Sequence, residues 1–553
     1  MTEPSEGVGE DRQAGTVPLA TDCIGESLLT AVLLCQGLQT LGNGLDLKEL
    51  CRWVEETHAG VQVRVVPDLC HDPKELSRIA TTGIRRMVLG LCTWDYSELE
   101  MQFQARKAGL DPLGMETVNL GTFCTRVPEG SVGIEKAKLL LATAVARARA
   151  YPGSSPEHLR PSFPSLSQKM SRRALFTLPP MQYQVVASID HPRCIADTGC
   201  ALCVSACPHG ALERVGEKVW IKKTRCQGCG LCVTVCPQDA IQFPGNSPAQ
   251  LEAQVTALLE TDPVALTERG ILFTCQRSIP AIEGAGREGV GASARWLPVQ
   301  VPCVGMVPVS WVLQCLARGA MVGVVACGDG CPSQQMETIR GRIDYCRQLL
   351  RLLGGSAERV RLLNPENGPD ADPLPGGIGD MRSEGRDGGD SYPPLFAPEA
   401  LAHALRKLVE EHGTSVTPSL KHPHSPMGVV AVEPQRCTAC GVCAGTCPTG
   451  ALGFTQDNEA VTLTFDAALC IACGQCIGVC PEGGAGAIRM DRVTDLAWLA
   501  RGRAALYQDR EARCETCGAP VAPLSMLNRV AALLGSEEAT LAGRIGRYCP
   551  SCR

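Results

Sequence analysis

Aromatic residues make up only 4% of this chain, and its nine histidines are scattered. Few aromatics leave little bulk for large cores. The scattered histidines build no Ser/His/Asp or Cys/His arrangement for nucleophilic catalysis. An excess of positive charge is also missing. The 52 Lys and Arg face 58 Asp and Glu, for a net charge of -6, which argues against a basic nucleic-acid-binding protein. No apolar run reaches the ~18 residues that a membrane-crossing helix requires. Residues 1–13 are acidic and polar and lack the basic start and apolar core of a secretory leader. A cytoplasmic protein with no membrane span is the expectation.

Against these absences stand 32 cysteines in 553 residues. Disulfide scaffolds of that kind are short secreted domains, so here the cysteines read as thiolate ligands. The length suggests about three to five domains. Residues 1–18 form a polar tail. Residues 19–151 alternate strand-like runs (61–66, 87–91) with helix-like ones (27–38, 46–58, 132–150). A Pro/Ser-rich linker, 152–183, leads to a cysteine-rich module at 184–244 and a helical connector at 245–265. Residues 266–364 alternate again, with strands at 270–274, 299–301 and 321–326 and helices at 309–318 and 333–353. A Gly/Pro/Asp-rich linker follows at 365–398. Then come a helix and connector at 399–426, a second cysteine-rich module at 427–492, a helix at 493–513 and a four-cysteine knuckle at 514–553. The cysteine-rich modules are an internal repeat. The expected fold is multidomain, α/β plus α+β. It comprises two α/β cysteine-bearing domains, two ferredoxin-like modules and a zinc-ribbon-like knuckle.

The second module reads Cys437-x2-Cys440-x2-Cys443-x3-Cys447-Pro, then Cys470-x2-Cys473-x2-Cys476-x3-Cys480-Pro. This is the bacterial two-cluster ferredoxin pattern. Three cysteines two apart wrap one cube, and the fourth, ahead of proline, points to the other. Cys437, Cys440, Cys443 and Cys480 are therefore expected to hold one [4Fe–4S], and Cys470, Cys473, Cys476 and Cys447 a second. The first module reads Cys194-x5-Cys200-x2-Cys203-x3-Cys207-Pro, then Cys226-x2-Cys229-x2-Cys232-x3-Cys236-Pro. Its first gap is three residues longer, and Asp197-Thr198-Gly199 supplies a turn to absorb them. Cys194, Cys200, Cys203 and Cys236 are assigned to one cube, and Cys226, Cys229, Cys232 and Cys207 to the other. Both modules resemble the two-[4Fe–4S] ferredoxin family, which carries single electrons.

Elsewhere cysteines follow predicted strands. Cys275, Cys303, Cys327 and Cys331 do so in residues 266–364, at the usual ligand crevice of an open α/β sheet. The stretches Val301-Pro302-Cys303-Val304-Gly305-Met306-Val307 and Ala326-Cys327-Gly328-Asp329-Gly330-Cys331 resemble the delta subunit of methyl-viologen-reducing hydrogenase. That resemblance implies one [2Fe–2S] and electron transfer between hydrogenase and heterodisulfide reductase. In residues 19–151, Cys23, Cys70, Cys92 and Cys124 follow strand-like runs. Leu69-Cys70-His71-Asp72-Pro73, Leu91-Cys92-Thr93 and Thr122-Phe123-Cys124-Thr125 resemble the N-terminal domain of the A-type subunit of heterodisulfide reductase, without the flavin domain that follows it there. That resemblance implies a fifth [4Fe–4S] on those four cysteines. Cys35, Cys51, Cys315 and Cys346 fall in predicted helices and read as small buried hydrophobes. In the tail, Cys514-x2-Cys517 and Cys549-x2-Cys552, joined by a helix over 524–534, suit structural zinc, with a rubredoxin-type iron as the alternative.

The string Gly284-Ala285-Gly286-Arg287-Glu288-Gly289 fits a dinucleotide fingerprint, but no strand precedes it and no acid lies about twenty residues on. No flavin or nicotinamide is expected. The chain thus reads as a multi-cluster electron-transfer subunit of a heterodisulfide reductase/hydrogenase-like complex, without a substrate site of its own. The resemblances imply partners: a flavoprotein, a hydrogenase or formate dehydrogenase, or heterodisulfide-reductase-like subunits. The alternatives are a thiol/disulfide oxidoreductase acting at a strand-end cysteine cluster, and a redox-sensing scaffold.

Overall fold

The computed structural model describes residues 30–553 except 71–75, 77, 79–83, 85, 93–97, 129, 154–157, 163–181, 262–268, 276, 286–292, 294, 326, 328–330, 332, 365–392, 395–396, 398, 414–417, 458–459, 535–545 and 553. Strand β1 (Thr30–Cys35) is buried at all six positions. It is joined by β2 (Val61–Val66), β3 (Arg86–Leu91) and β4 (Met115–Asn119) in a parallel sheet of order β2-β1-β3-β4. Val32 and Leu34 enter one core, and Ala31, Leu33 and Cys35 the other. A strand covered on both faces is a continuous apolar run. The helix expected over 27–38 is therefore corrected: its described part is a strand and a short 3-10 turn. The helix Leu47–Thr57 starts where the Asp46 carboxylate accepts the N–H groups of Lys48 and Glu49, a side-chain cap.

Strands β5 (Leu159–Ser162) and β6 (Gln182–Val185) form an antiparallel pair ahead of the first module. Within that module β7 (Ser188–Ile189), β8 (Leu212–Val215), β9 (Lys218–Ile221) and β10 (Ile241–Gln242) make two antiparallel pairs, β7 with β10 and β8 with β9. The connector helix, Pro248–Glu260, opens with a Ser247/Gln250 capping box. A second parallel sheet follows, built from β11 (Gly270–Cys275), β12 (Trp296–Val301), β13 (Met321–Val325) and β14 (Val360–Leu363) in the order β12-β11-β13-β14. The two sheets share one strand order: second, first, third, fourth. Cys35 and Cys275 each end the first strand, in register with the last residue of the second, Val66 and Val301.

The remaining strands are β15 (Ser419–Lys421), β16 (Val429–Val432), β17 (Leu452–Gln456), β18 (Ala460–Phe465), β19 (Ile488–Asp491), β20 (Val493–Asp495), β21 (Ala504–Arg513) and β22 (Pro520–Pro523). They form the antiparallel pairs β15–β20 and β16–β19 and the sheet β17-β18-β21-β22. The helix expected over 493–513 is corrected to β20, a short helix Leu496–Arg501 and β21. Because β21 pairs with β18 and then with β22, the tail grows out of the second module's sheet.

One hydrophobic core runs through both α/β units. The helix Gly130–Arg149 packs against the connector helix. At their seam Arg147 donates to Glu116 (3.0 Å), Gln254 (2.5 Å), Asn246 (3.0 Å) and the Gly245 carbonyl. A buried guanidinium with each of its three nitrogens partnered is stabilising where a bare one is costly. Among the described residues no helix is long and apolar enough to cross a membrane.

Candidate metal centres

The ferredoxin loops are built by the backbone. In the regular half-motifs the two residues flanking the middle cysteine are left-handed: Gly228 and Gly230, Ala439 and Gly441, Ala472 and Gly474, with φ between 51° and 75°. Such alternation turns successive N–H groups inward, a nest suited to anionic iron–sulfur groups. N–H groups reach sulfur at Ala211–Cys207 (3.3 Å), Ala240–Cys236 (3.3 Å) and Ala439–Cys437 (3.4 Å). In the irregular half-motif the extra residues form a turn, Ala196–Thr198, closed by left-handed Gly199. Its Asp197 faces solvent, so the insertion bulges outward.

Cys437, Cys440, Cys443 and Cys480 line one cavity. Cys447, Cys470, Cys473 and Cys476 line a second, and Cys207, Cys226, Cys229 and Cys232 a third. In each, one cysteine crosses from the other half-motif. Cys203 gathers Cys236, Cys200 and Cys194 around it: burial first, then those neighbours, push its thiol up to about 12. Burial and neighbouring cysteines likewise push Cys443 and Cys476 to about 12. Thiolates so crowded need a cationic centre among them. Four sulfur donors around a cavity are the donor set of a [4Fe–4S] cube.

The second parallel sheet brings its four cysteines to the strand ends. Cys275, Cys303 and Cys331 are buried and Cys327 half-buried. A hydrogen bond from Cys327 draws the Cys275 thiol down to about 6. Burial raises Cys303, with Cys331 and Cys275 adding to it. The first sheet repeats the arrangement with a different set from the one expected. Cys92 Sγ lies 3.4 Å from Cys35 and 3.3 Å from Cys70. Cys35 is thus a member of the group and not a core residue of a helix. The sequence carries a signal for it, because it closes an apolar run just as Cys275 does. Cys124 is instead fully buried beside Lys136, apart from that group. Cys23 lies outside the described residues.

Cys51, Cys315 and Cys346 sit on helices, the latter two buried. In the tail Cys514 and Cys517 occupy the β21–β22 turn, and Cys549 lies 3.6 Å from Cys517. All four tail sulfurs are mutually within 4.8 Å, a compact set that fits a single tetrahedral ion.

The sites follow one another in space. Beyond Cys303, Met306 packs on Gly230, where an added Cβ would meet its sulfur at 2.8 Å. His209 reaches Ser333 at 3.3 Å across the same seam. Cys303 is close enough to add to the rise of Cys229, behind burial. Cys203 does the same for Cys232, Cys200 for Cys473, and Cys443 for Cys476. Gln238, just past Cys236, donates to the carbonyl of Pro448, just past Cys447, at 2.8 Å.

Residues 193–240 and 436–485 each match the 4Fe-4S dicluster domain. Residues 271–375 match the methyl-viologen-reducing hydrogenase delta subunit. No curated protein matches the chain. The chain therefore carries two 4Fe-4S dicluster domains and one hydrogenase delta-subunit domain, a content that supports an iron–sulfur electron-transfer subunit.

Proposed function

We propose that the chain is an ordered wire. A [2Fe–2S] on Cys275, Cys303, Cys327 and Cys331 comes first. The cube of Cys226, Cys229, Cys232 and Cys207 follows, then that of Cys194, Cys200, Cys203 and Cys236. The cube of Cys470, Cys473, Cys476 and Cys447 is next, and that of Cys437, Cys440, Cys443 and Cys480 is last. The observation that carries this order is the run of neighbouring thiols, Cys303–Cys229, Cys232–Cys203, Cys200–Cys473 and Cys476–Cys443. A relay needs only short gaps and tuned potentials, and burial and N–H groups on sulfur are the means by which a protein tunes each potential. Single electrons pass along it, and two-electron chemistry resides on partners such as a flavoprotein, a hydrogenase or formate dehydrogenase, or a heterodisulfide-reductase-like subunit. The tail's four cysteines hold a structural zinc.

The anaerobically purified protein should contain about 18 iron atoms, four cubes and one two-iron cluster. In EPR the [2Fe–2S] signal should relax faster once the neighbouring cube is reduced. An iron content near 16 with no [2Fe–2S] signal removes the first station. A [2Fe–2S] signal indifferent to the cubes refutes the order.

A further inference from the structure

We propose that Cys35, Cys70 and Cys92 hold one zinc ion, and not an iron–sulfur cube. The three thiols come from three strand ends of the first sheet. Cys35 and Cys70 are essentially inaccessible, at 1% and 0% exposure. The sulfurs touch at 3.3 and 3.4 Å and all lie within 4.8 Å of one another. A tetrahedral site with Zn–S of about 2.3 Å has sulfur–sulfur edges of about 3.8 Å. A cube instead puts each thiolate on a separate iron at a separate corner. The chain displays that contrast itself. Among the described residues only this group and the tail's four cysteines gather three or more such ligands within 4.8 Å, and no three cysteines of the ferredoxin modules do.

Comparison of the two sheets supports the same assignment. Cys35, Cys70 and Cys92 occupy the strand-end places that Cys275, Cys303 and Cys327 take in the second sheet. The second sheet adds Cys331, and its four thiols are not drawn into so compact a group. The first sheet, among its described residues, adds no fourth Cys, His, Asp or Glu to its three. The backbone at Gly37 closes tightly over the group: an added Cβ there would come 2.9 Å from the Cys92 sulfur and 3.7 Å from that of Cys35.

The test is zinc and iron per chain in the full-length protein, purified anaerobically from zinc- and iron-replete cells. Cys92→Ser should lose one zinc and no iron, with the EPR signals of the other clusters intact as evidence of folding. Cys124→Ser should lose neither metal. Loss of iron from Cys92→Ser at constant zinc means a cluster and overturns the proposal. No change in either metal also overturns it and leaves a plain thiol group. Should Cys92→Ser fail to accumulate, the double variant Cys514→Ser/Cys517→Ser decides, since it spares the first sheet and leaves the tail only two cysteines. That variant should retain one zinc, and a zinc-free protein overturns the proposal.

Discussion

Lys136 shows what burial does to a single charge. Its ammonium donates to the Ser293 carbonyl at 2.7 Å and lies 5.7 Å from the Phe123 ring, with no exposure to solvent. Desolvation holds its pKa down at about 8, against an ordinary 10.5, with Cys124 opposing weakly. The unfolded chain keeps this proton up to about 10.5, whereas the folded chain releases it near 8. The penalty is therefore complete below pH 8 and is relieved as pH climbs through that window. Cys124, pushed up to about 12 by burial, stays neutral throughout. Relative to Lys136→Met, the native chain should gain about 3 kcal/mol between pH 8 and 10.5, read from denaturation midpoints at fixed ionic strength. A pH-independent difference between the two proteins would mean that the ammonium is hydrated in the fold. Residues of this kind are hard to find in sequence. Nothing near Lys136 announces that the helix Gly130–Arg149 buries it against a loop over 150 positions away. The ferredoxin cysteines are plain in the sequence because their ligand spacing is local. Cys35 and Cys124 are not, because their places are set by which strand ends meet.

The seam between Met306 and the Cys229–Gly230 turn is where one element's chemistry depends on another's packing. Gly230 is left-handed, at φ 75°, and a side chain there meets the Met306 sulfur. Gly230→Ala should cost about 1–3 kcal/mol, from backbone strain and displaced packing together. It should also weaken the coupling of the [2Fe–2S] EPR signal to the adjacent cube. Adding Met306→Ala should restore the coupling and part of the stability, a non-additivity expected of touching residues. Strictly additive effects would place Met306 outside the electron path. At this scale most helices and strands are legible in the sequence, and the helix Leu524–Leu534 is legible to the residue. The exceptions have physical causes. The run TAVLLC of β1 carries no period to separate a buried strand from a buried helix. β21 is rich in Ala, Gln, Arg and Glu, good helix formers, yet it is held in a sheet by β18 and β22.

For the whole molecule, the apo charge of -6 understates the field. Each four-thiolate site carries about -2 when its oxidised cluster or zinc is in place, and the three-thiolate zinc about -1, for a total near -20. A partner should therefore present a basic face, and association should weaken severalfold between 50 and 200 mM salt as that attraction is screened. Affinity unchanged by salt would indicate an apolar interface.

β21 makes the tail more than an appendage. The strand starts beside Phe465, at the end of the second module's hairpin, and hands over directly to Cys514. On its way it carries Asp509, whose charge reaches Cys437 of the last cube and whose carboxylate accepts the Ser525 N–H at 2.8 Å and hydroxyl at 2.6 Å. A metal at the knuckle, as proposed for its four cysteines, would clamp one end of this ten-residue lever. Without that metal the end would fray inward through Arg513, Glu511 and Arg510 to Asp509, the carboxylate whose charge reaches the terminal cube. The proposed zinc, which itself never changes valence, would thus act as a mechanical trim on the redox set-point of the station farthest from the hydrogenase-like domain.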